Sequence, residues 1–161
     1  MILPADGDFR LEDDAATARL GAAVARELAT GDAICLWGPL GAGKSTLARG
    51  LIRALTTPTE DVPSPTFTLV QFYETPALRV AHFDLYRIDR AAELTEIGLD
   101  EALDEGAAII EWPERLEGHL PANRLDIELA VAGGAAGGGA DEHRTARLTA
   151  HGSWEGRPIE F

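Results

Sequence analysis

Gly38-Pro39-Leu40-Gly41-Ala42-Gly43-Lys44-Ser45-Thr46 is the stretch that decides the fold of this chain. Gly38, Gly43, Lys44 and Ser45 satisfy G-x-x-x-x-G-K-[ST], the pattern of a phosphate-binding loop. A polyphosphate needs several N–H donors converging from one concave surface. Only a glycine-rich backbone bends that way, because side chains would fill the space and forbid the dihedrals. A helix that follows adds its positive N-terminal end. The pattern assigns nucleotide binding to Gly38, Leu40, Gly41, Ala42, Gly43, Lys44, Ser45 and Thr46. Lys44 reaches the outer phosphates and acts in catalysis, and the Ser45 hydroxyl ligates Mg²⁺.

The flanks carry the required order of strand, loop and helix. Ala33-Ile34-Cys35-Leu36-Trp37 is an apolar run that predicts a buried strand. Leu47, Leu51, Ile52 and Leu55 recur at helical spacing between Ser45 and Leu55. Lys44 is also the only lysine, against thirteen arginines. The sequence uses arginine wherever a generic cation will do, and a compact ammonium where a phosphate loop needs one.

The chain of 161 residues predicts a single domain over 1–161 with a core of its own. Its 45% hydrophobic and 25% charged residues place it among ordinary globular proteins. No apolar run approaches the ~20 residues of a membrane span. Residues 1–10 have neither a basic start nor a signal-like apolar block. Cys35 is the single cysteine, so no internal disulfide exists, and it reads as a small buried hydrophobe. These features predict a cytoplasmic protein without membrane contact. The net charge of −13, from 27 acids and 14 bases, argues against direct binding of nucleic acid. The four histidines lack metal-site spacing, which disfavours zinc.

Along the chain, Asp8 to Glu12 predicts a short first strand. Asp13 or Asp14 caps a helix carrying Ala16, Leu20, Val24 and Leu28, which runs to about Ala29 with Gly31 as its C-cap. Pro58, Pro63 and Pro65 hold residues 56–66 as an extended loop. Its hydroxyls either face the terminal phosphate as a switch or merely line a surface connector. Phe67–Tyr73 and Leu78–Phe83 predict an antiparallel pair of strands. Alternation puts His82 and Asp84 on one face. Asp84 reads equally as a ligand-facing acid at a strand end and as a cap. His82 reads as a hydrogen-bonded structural residue in preference to a base.

Arg90 to Glu105 predicts one or two short helices broken near Gly98. Ala107 to Glu111 is an apolar strand ending in an acid, in the place of the second acidic motif of phosphate-loop proteins. Glu111 follows the more deeply apolar strand and is assigned to the Mg²⁺ shell. Asp84 is assigned to orienting the attacking water. Trp112 packs near that site or in the core. Pro113 to Leu120 predicts a short helix, and 124–131 with 144–151 a terminal antiparallel hairpin. Its connection over 133–143 is glycine-rich and predicted flexible. The fold class is thus α/β: a phosphate-loop NTPase domain with a central, mostly parallel sheet, antiparallel additions and flanking helices.

Gly38 to Thr46, Ser64-Pro65-Thr66-Phe67-Thr68-Leu69, His82-Phe83-Asp84-Leu85-Tyr86-Arg87 and Ile110-Glu111-Trp112-Pro113-Glu114 together resemble the TsaE (YjeE) family. Those are small bacterial ATPases of tRNA threonylcarbamoyladenosine synthesis, and the resemblance covers most of the chain. It implies ATP and Mg²⁺ as cofactors, and slow hydrolysis that depends on two partner proteins, TsaD and TsaB. Contact with tRNA is then indirect, through that complex. It also implies a switch role for Ser64 to Thr66, and catalytic or Mg²⁺ roles for Asp84 and Glu111. Thr17 and Arg157 are weaker candidates for touching the base. A small-molecule kinase is the alternative, but its lid would cluster arginines that here are scattered. A nucleotide-dependent binding module has no use for two acids. A GTPase is disfavoured because Asn123, the only asparagine, precedes its strand instead of following one.

Overall fold

The apolar run before the glycine loop forms a strand whose first four residues, Ala33 to Leu36, are wholly buried. A strand covered on both faces belongs in the middle of a parallel sheet. A computed structural model describes residues 2–3, 8–89, 96–133 and 142–161. The described elements are β1 (Asp8–Leu11), α1 (Asp14–Ala25), β2 (Ala33–Trp37), α2 (Lys44–Leu55), β3 (Val70–Glu74), β4 (Arg79–Asp84), α3 (Leu99–Glu105), β5 (Gly106–Glu111), β6 (Arg124–Ala132) and β7 (His143–His151). Short 3₁₀ turns span Pro113–Leu116 and Gly152–Trp154.

The strands form one sheet in the order β1-β7-β6-β2-β5-β4-β3. The central four, β4-β5-β2-β6, run parallel. β3 adds antiparallel to one edge, and β7 with β1 to the other. This is the mixed α/β sheet expected. The two halves bury differently. In β6 and β7 the residues Leu125, Ile127, Leu129, Ala146 and Leu148 are buried. The intervening Glu128 and Arg147 face water, as in an antiparallel sheet covered on one side.

Helices α1 and α2 cover one face of the sheet with Leu20, Val24, Leu47 and Leu51. A smaller core of Cys35, Phe83, Leu85, Ile110 and Leu116 fills the other. Burial pushes the Cys35 thiol up to about 12, so it is a packing residue at neutral pH.

Several boundaries differ from the pattern-based ones for local reasons. α1 is capped by Asp13, whose carboxylate accepts from Ala16 N at 2.8 Å, but it stops at Ala25 instead of Ala29. Asp32 accepts from Ala29 N at 2.8 Å, and that side-chain bond replaces another helical turn. Gly31 therefore sits in a turn beyond the helix, not at its cap. β3 begins at Val70 rather than Phe67, because Leu69 N donates to Pro65 O at 2.7 Å and Leu69 adopts φ +68. The helix after Pro113 is a single 3₁₀ turn ended by Glu117 at φ +48. Of the expected helical stretch 90–105, residues 90–95 lie outside the described residues. So does most of the glycine-rich connection, 134–141.

α1 and α2 meet backbone to backbone. A Cβ on Gly21 would stand 2.2 Å from Leu47 O, and one on Gly50 2.4 Å from Ala18 O. Neither obstacle is a side chain that can swing away. Gly21→Ala is therefore expected to lower stability by about 2 kcal/mol, or roughly 4–8 °C in Tm, despite alanine's better helix propensity. A thermal melt at or above wild type would show that the helices separate without cost.

Candidate active site

β2 delivers the chain into the glycine loop at the carboxyl end of the sheet. Gly38 opens the loop at φ +137, and a Cβ there would meet Leu129 O of β6 at 2.4 Å. Only glycine fits both the dihedral and the gap. Gly43, at φ +107, takes the N-cap position of α2, so the helix starts at Lys44 with its first N–H groups at the loop.

Around this loop lies a cleft of about 390 Å³. Leu40, Gly41, Gly43, Lys44, Ser45 and Thr46 line it from the loop side. Of the remaining loop candidates, Ala42 is turned into the core and donates its N–H to Pro39 O. Gly38 contributes its carbonyl, which accepts from Lys44 Nζ at 2.6 Å. The same ammonium lies 3.6 Å from the ring centroid of Trp112, so the lysine is parked on a carbonyl and an aromatic face. Its pKa is lowered by burial, against the opposing pull of Glu111, Glu114 and Asp84.

Asp84 and Glu111 are the last residues of two neighbouring parallel strands and are paired in register. Both are buried and both line the cleft. Asp84 is engaged on each oxygen by the loops: Oδ1 accepts from Tyr86 N and Oδ2 from Thr66 Oγ1, both at 3.0 Å. Thr66 in turn shares a 2.7 Å hydrogen bond with Ser64. The proline-rich segment is therefore tied to the acid, and Ser64 and Thr66 themselves line the cleft. Glu111 is held otherwise. His82 lies opposite Ile109, so Glu111 is its diagonal neighbour on the same sheet face, and His82 Nε2 sits 2.7 Å from Glu111 Oε2. His82 shares a face with Asp84, as alternation requires, yet its bond goes across to the next strand.

Three aromatic or basic residues complete the rim. Trp112, at φ +61, packs against Tyr86 with the rings tilted by 53° and their centroids 5.0 Å apart. Arg144, from the second position of β7, reaches over the loop to Gly41 O at 3.5 Å and pairs with Asp14. Its stem lies 3.0 Å from where a Gly43 Cβ would be. Nothing local in the sequence singles Arg144 out from the other arginines. The hairpin alone brings it to the loop.

The two candidates for touching a base fare differently. Thr17 is buried behind Gly43, with its hydroxyl bonded to Asp13 O at 3.3 Å, and does not line the cleft. Arg157 is at the other end of β2. It bonds Asp32 at 2.6 Å and Glu27 O at 2.8 Å and stacks on Trp154, a strand's length from the loop. Asn123 also sits at that end, bonding Ser153 N.

A parallel core strand running into a glycine loop and helix, with two carboxylates on adjacent strand ends, defines a P-loop fold. The chain belongs to the TsaE family. The family model described as threonylcarbamoyl adenosine biosynthesis protein TsaE matches residues 11–136. The Bacillus subtilis tRNA threonylcarbamoyladenosine biosynthesis protein TsaE is 37% identical over 143 residues, 88% of this chain and 82% of that protein. Its counterpart from Rickettsia prowazekii is 36% identical over 107 residues, 66% of this chain and 74% of that one. The crystal structure of Bacillus subtilis YdiB matches with a TM-score of 0.71 at 27% identity, covering 96% of this chain and 91% of that one. Among the described residues no helix is long and apolar enough to cross a membrane.

Proposed function

We propose that the chain is a cytoplasmic, Mg²⁺-dependent ATPase of tRNA threonylcarbamoyladenosine synthesis that acts with TsaD and TsaB. The observation that carries this is the convergence of Lys44, Ser45, Asp84 and Glu111 on one cleft at the start of α2. The acids come from strands far apart in sequence from the loop, and register alone brings them together. A hydroxyl and a carboxylate are hard oxygen donors of the kind Mg²⁺ takes, with water and phosphate oxygens completing its shell. Ser45 and Glu111 would hold the ion, which supplies charge neutralisation at the phosphates.

The chain's own groups have separable tasks. The loop N–H groups and the N-terminus of α2 bind the phosphates. Lys44 exchanges Gly38 O for the outer phosphate oxygens. Asp84 orients a water for attack on the γ-phosphorus. The bond from that phosphorus to the β–γ bridging oxygen breaks, giving ADP and phosphate. Arg144 adds positive charge from the loop side, beside Gly41 and Gly43. Thr66 bonds one oxygen of Asp84, so the placing of the 56–69 segment bears on how the acid meets a water. That supports slow turnover alone and acceleration by partners. The −13 charge supports contact with tRNA through the complex only.

ATP hydrolysis measured alone and with the TsaD–TsaB pair tests this. Stimulation of tenfold or more by the pair is expected. Failure to bind ATP in a calorimetric titration overturns the assignment. Phosphoryl transfer to a small acceptor without release of phosphate would establish the kinase instead.

A further inference from the structure

We propose that His82 is a positioning residue for Glu111, fixing which carboxylate oxygen faces the cleft. This rests on the reading of Glu111 as a Mg²⁺-shell acid. His82 lies in β4 among the buried Val80, Ala81 and Phe83, and it is 2% exposed. A buried imidazole is costly unless its nitrogens are bonded. Nε2 has the 2.7 Å bond to Glu111 Oε2, while Nδ1 is buried without a partner among the described residues. An apolar residue would fill the slot without leaving an orphan nitrogen. The bond to Glu111 is what the histidine offers in exchange.

The bond also has direction. An ionised carboxylate accepts only, so Nε2 carries the hydrogen and donates it to Oε2. With Oε2 pinned, Oε1 is the oxygen left for the cleft. The support is a residue of the same rigid sheet, on the strand adjacent to β5. The supports of Asp84 are loop groups, Thr66 and the backbone of Tyr86. The two acids at neighbouring strand ends are thus held by different parts of the fold. The bond that orients Glu111 does not involve the proline-rich segment, whereas one oxygen of Asp84 is bonded to it through Thr66.

The test compares His82→Leu with His82→Gln, whose amide nitrogen reaches close to the position of imidazole Nε2. Partner-stimulated turnover, the Mg²⁺ concentration for half-maximal rate, and ATP affinity with and without Mg²⁺ are measured. His82→Leu is expected to lose about 10- to 100-fold in kcat and to need more Mg²⁺, with unchanged ATP affinity in EDTA. Its Tm is expected to fall, because Glu111 is left buried without its donor, so the rates are compared per folded molecule. His82→Gln should recover most of both losses. Should His82→Leu not fold, His82→Asn, too short to reach Glu111, is expected to show the same losses. Wild-type kcat and Mg²⁺ response in folded His82→Leu or His82→Asn overturn the proposal. So does a loss that His82→Gln leaves unrepaired in a folded protein. Glu111→Gln separates the two levels. If it retains wild-type turnover and Mg²⁺ response, the reading of Glu111 fails. If it is inactive while His82→Leu is normal, the positioning role alone fails.

Discussion

Lys44→Ala is expected to weaken ATP binding by about 100-fold or more, equivalent to about 2.8 kcal/mol, and to abolish hydrolysis. The lost group is the compact cation at the outer phosphates, and charge-assisted hydrogen bonds are among the stronger polar contacts. The free protein should tolerate the change. Among the described residues Lys44 Nζ bonds the Gly38 carbonyl and lies over the face of Trp112, and neither contact ties one element of the core to another. Lys44→Arg should not restore binding, because a planar guanidinium does not fit between that carbonyl and the indole. The pH dependence has a definite sign. Burial lowers the pKa of Lys44 in the free protein, and the ligand needs the charged form. ATP affinity should therefore begin to fall, as pH rises, below the ordinary lysine value. Calorimetric titration across alkaline pH reads both effects. Unchanged affinity in Lys44→Ala would remove the phosphate loop from the site.

Glu111→Gln and Asp84→Asn should do the opposite: keep ATP affinity within about threefold and lose about 10² to 10⁴ in turnover. Affinity comes from the loop backbone and Lys44, which neither substitution touches. Both amides also preserve the local bonds. The glutamine oxygen still accepts from His82 Nε2. An asparagine oxygen still accepts from Tyr86 N while its amide donates to the Thr66 hydroxyl. Stability should stay within about 1 kcal/mol of wild type. TsaD and TsaB should fail to rescue either variant, since partners can reposition a loop but cannot supply a carboxylate at the end of β4 or β5. The competing expectation is that both acids are only strand-end caps. In that case Tm falls and turnover per folded molecule stays near wild type.

Much of this site was legible in the sequence because its chemistry is written locally. Gly38 to Thr46 names its own backbone shape, and Asp84 and Glu111 each close an apolar run. What stayed hidden depends on pieces that meet only in three dimensions. Arg144 arrives at the loop because β7 pairs with β6, which is parallel to β2. The bond of His82 to Glu111 is a diagonal across two parallel strands whose register the chain does not announce. Arg157, by contrast, belongs to Asp32 at the far end of β2, and linear reading has no means of telling one end of a sheet from the other. The early end of α1 at Ala25 had a similar cause. Asp32 competes for Ala29 N from beyond the helix, where hydrophobic spacing does not look.

The interlocked glycines of α1 and α2 also decide where motion can go. Two helices in backbone contact have no side-chain cushion between them, so they shift together or not at all. The positive end of α2 is thereby fixed relative to the sheet, and the phosphate cradle is ready-made before any nucleotide arrives. Residues 56–69 lie across that cradle, joined to the rest by Arg53 to Glu60 O, Thr66 to Asp84 and Asp84 N to Leu69 O, with Val62 seated in the core. The receiver for phosphate and the proline-rich strap across it are thus separate pieces, and a partner that grips the strap reaches the acid it touches.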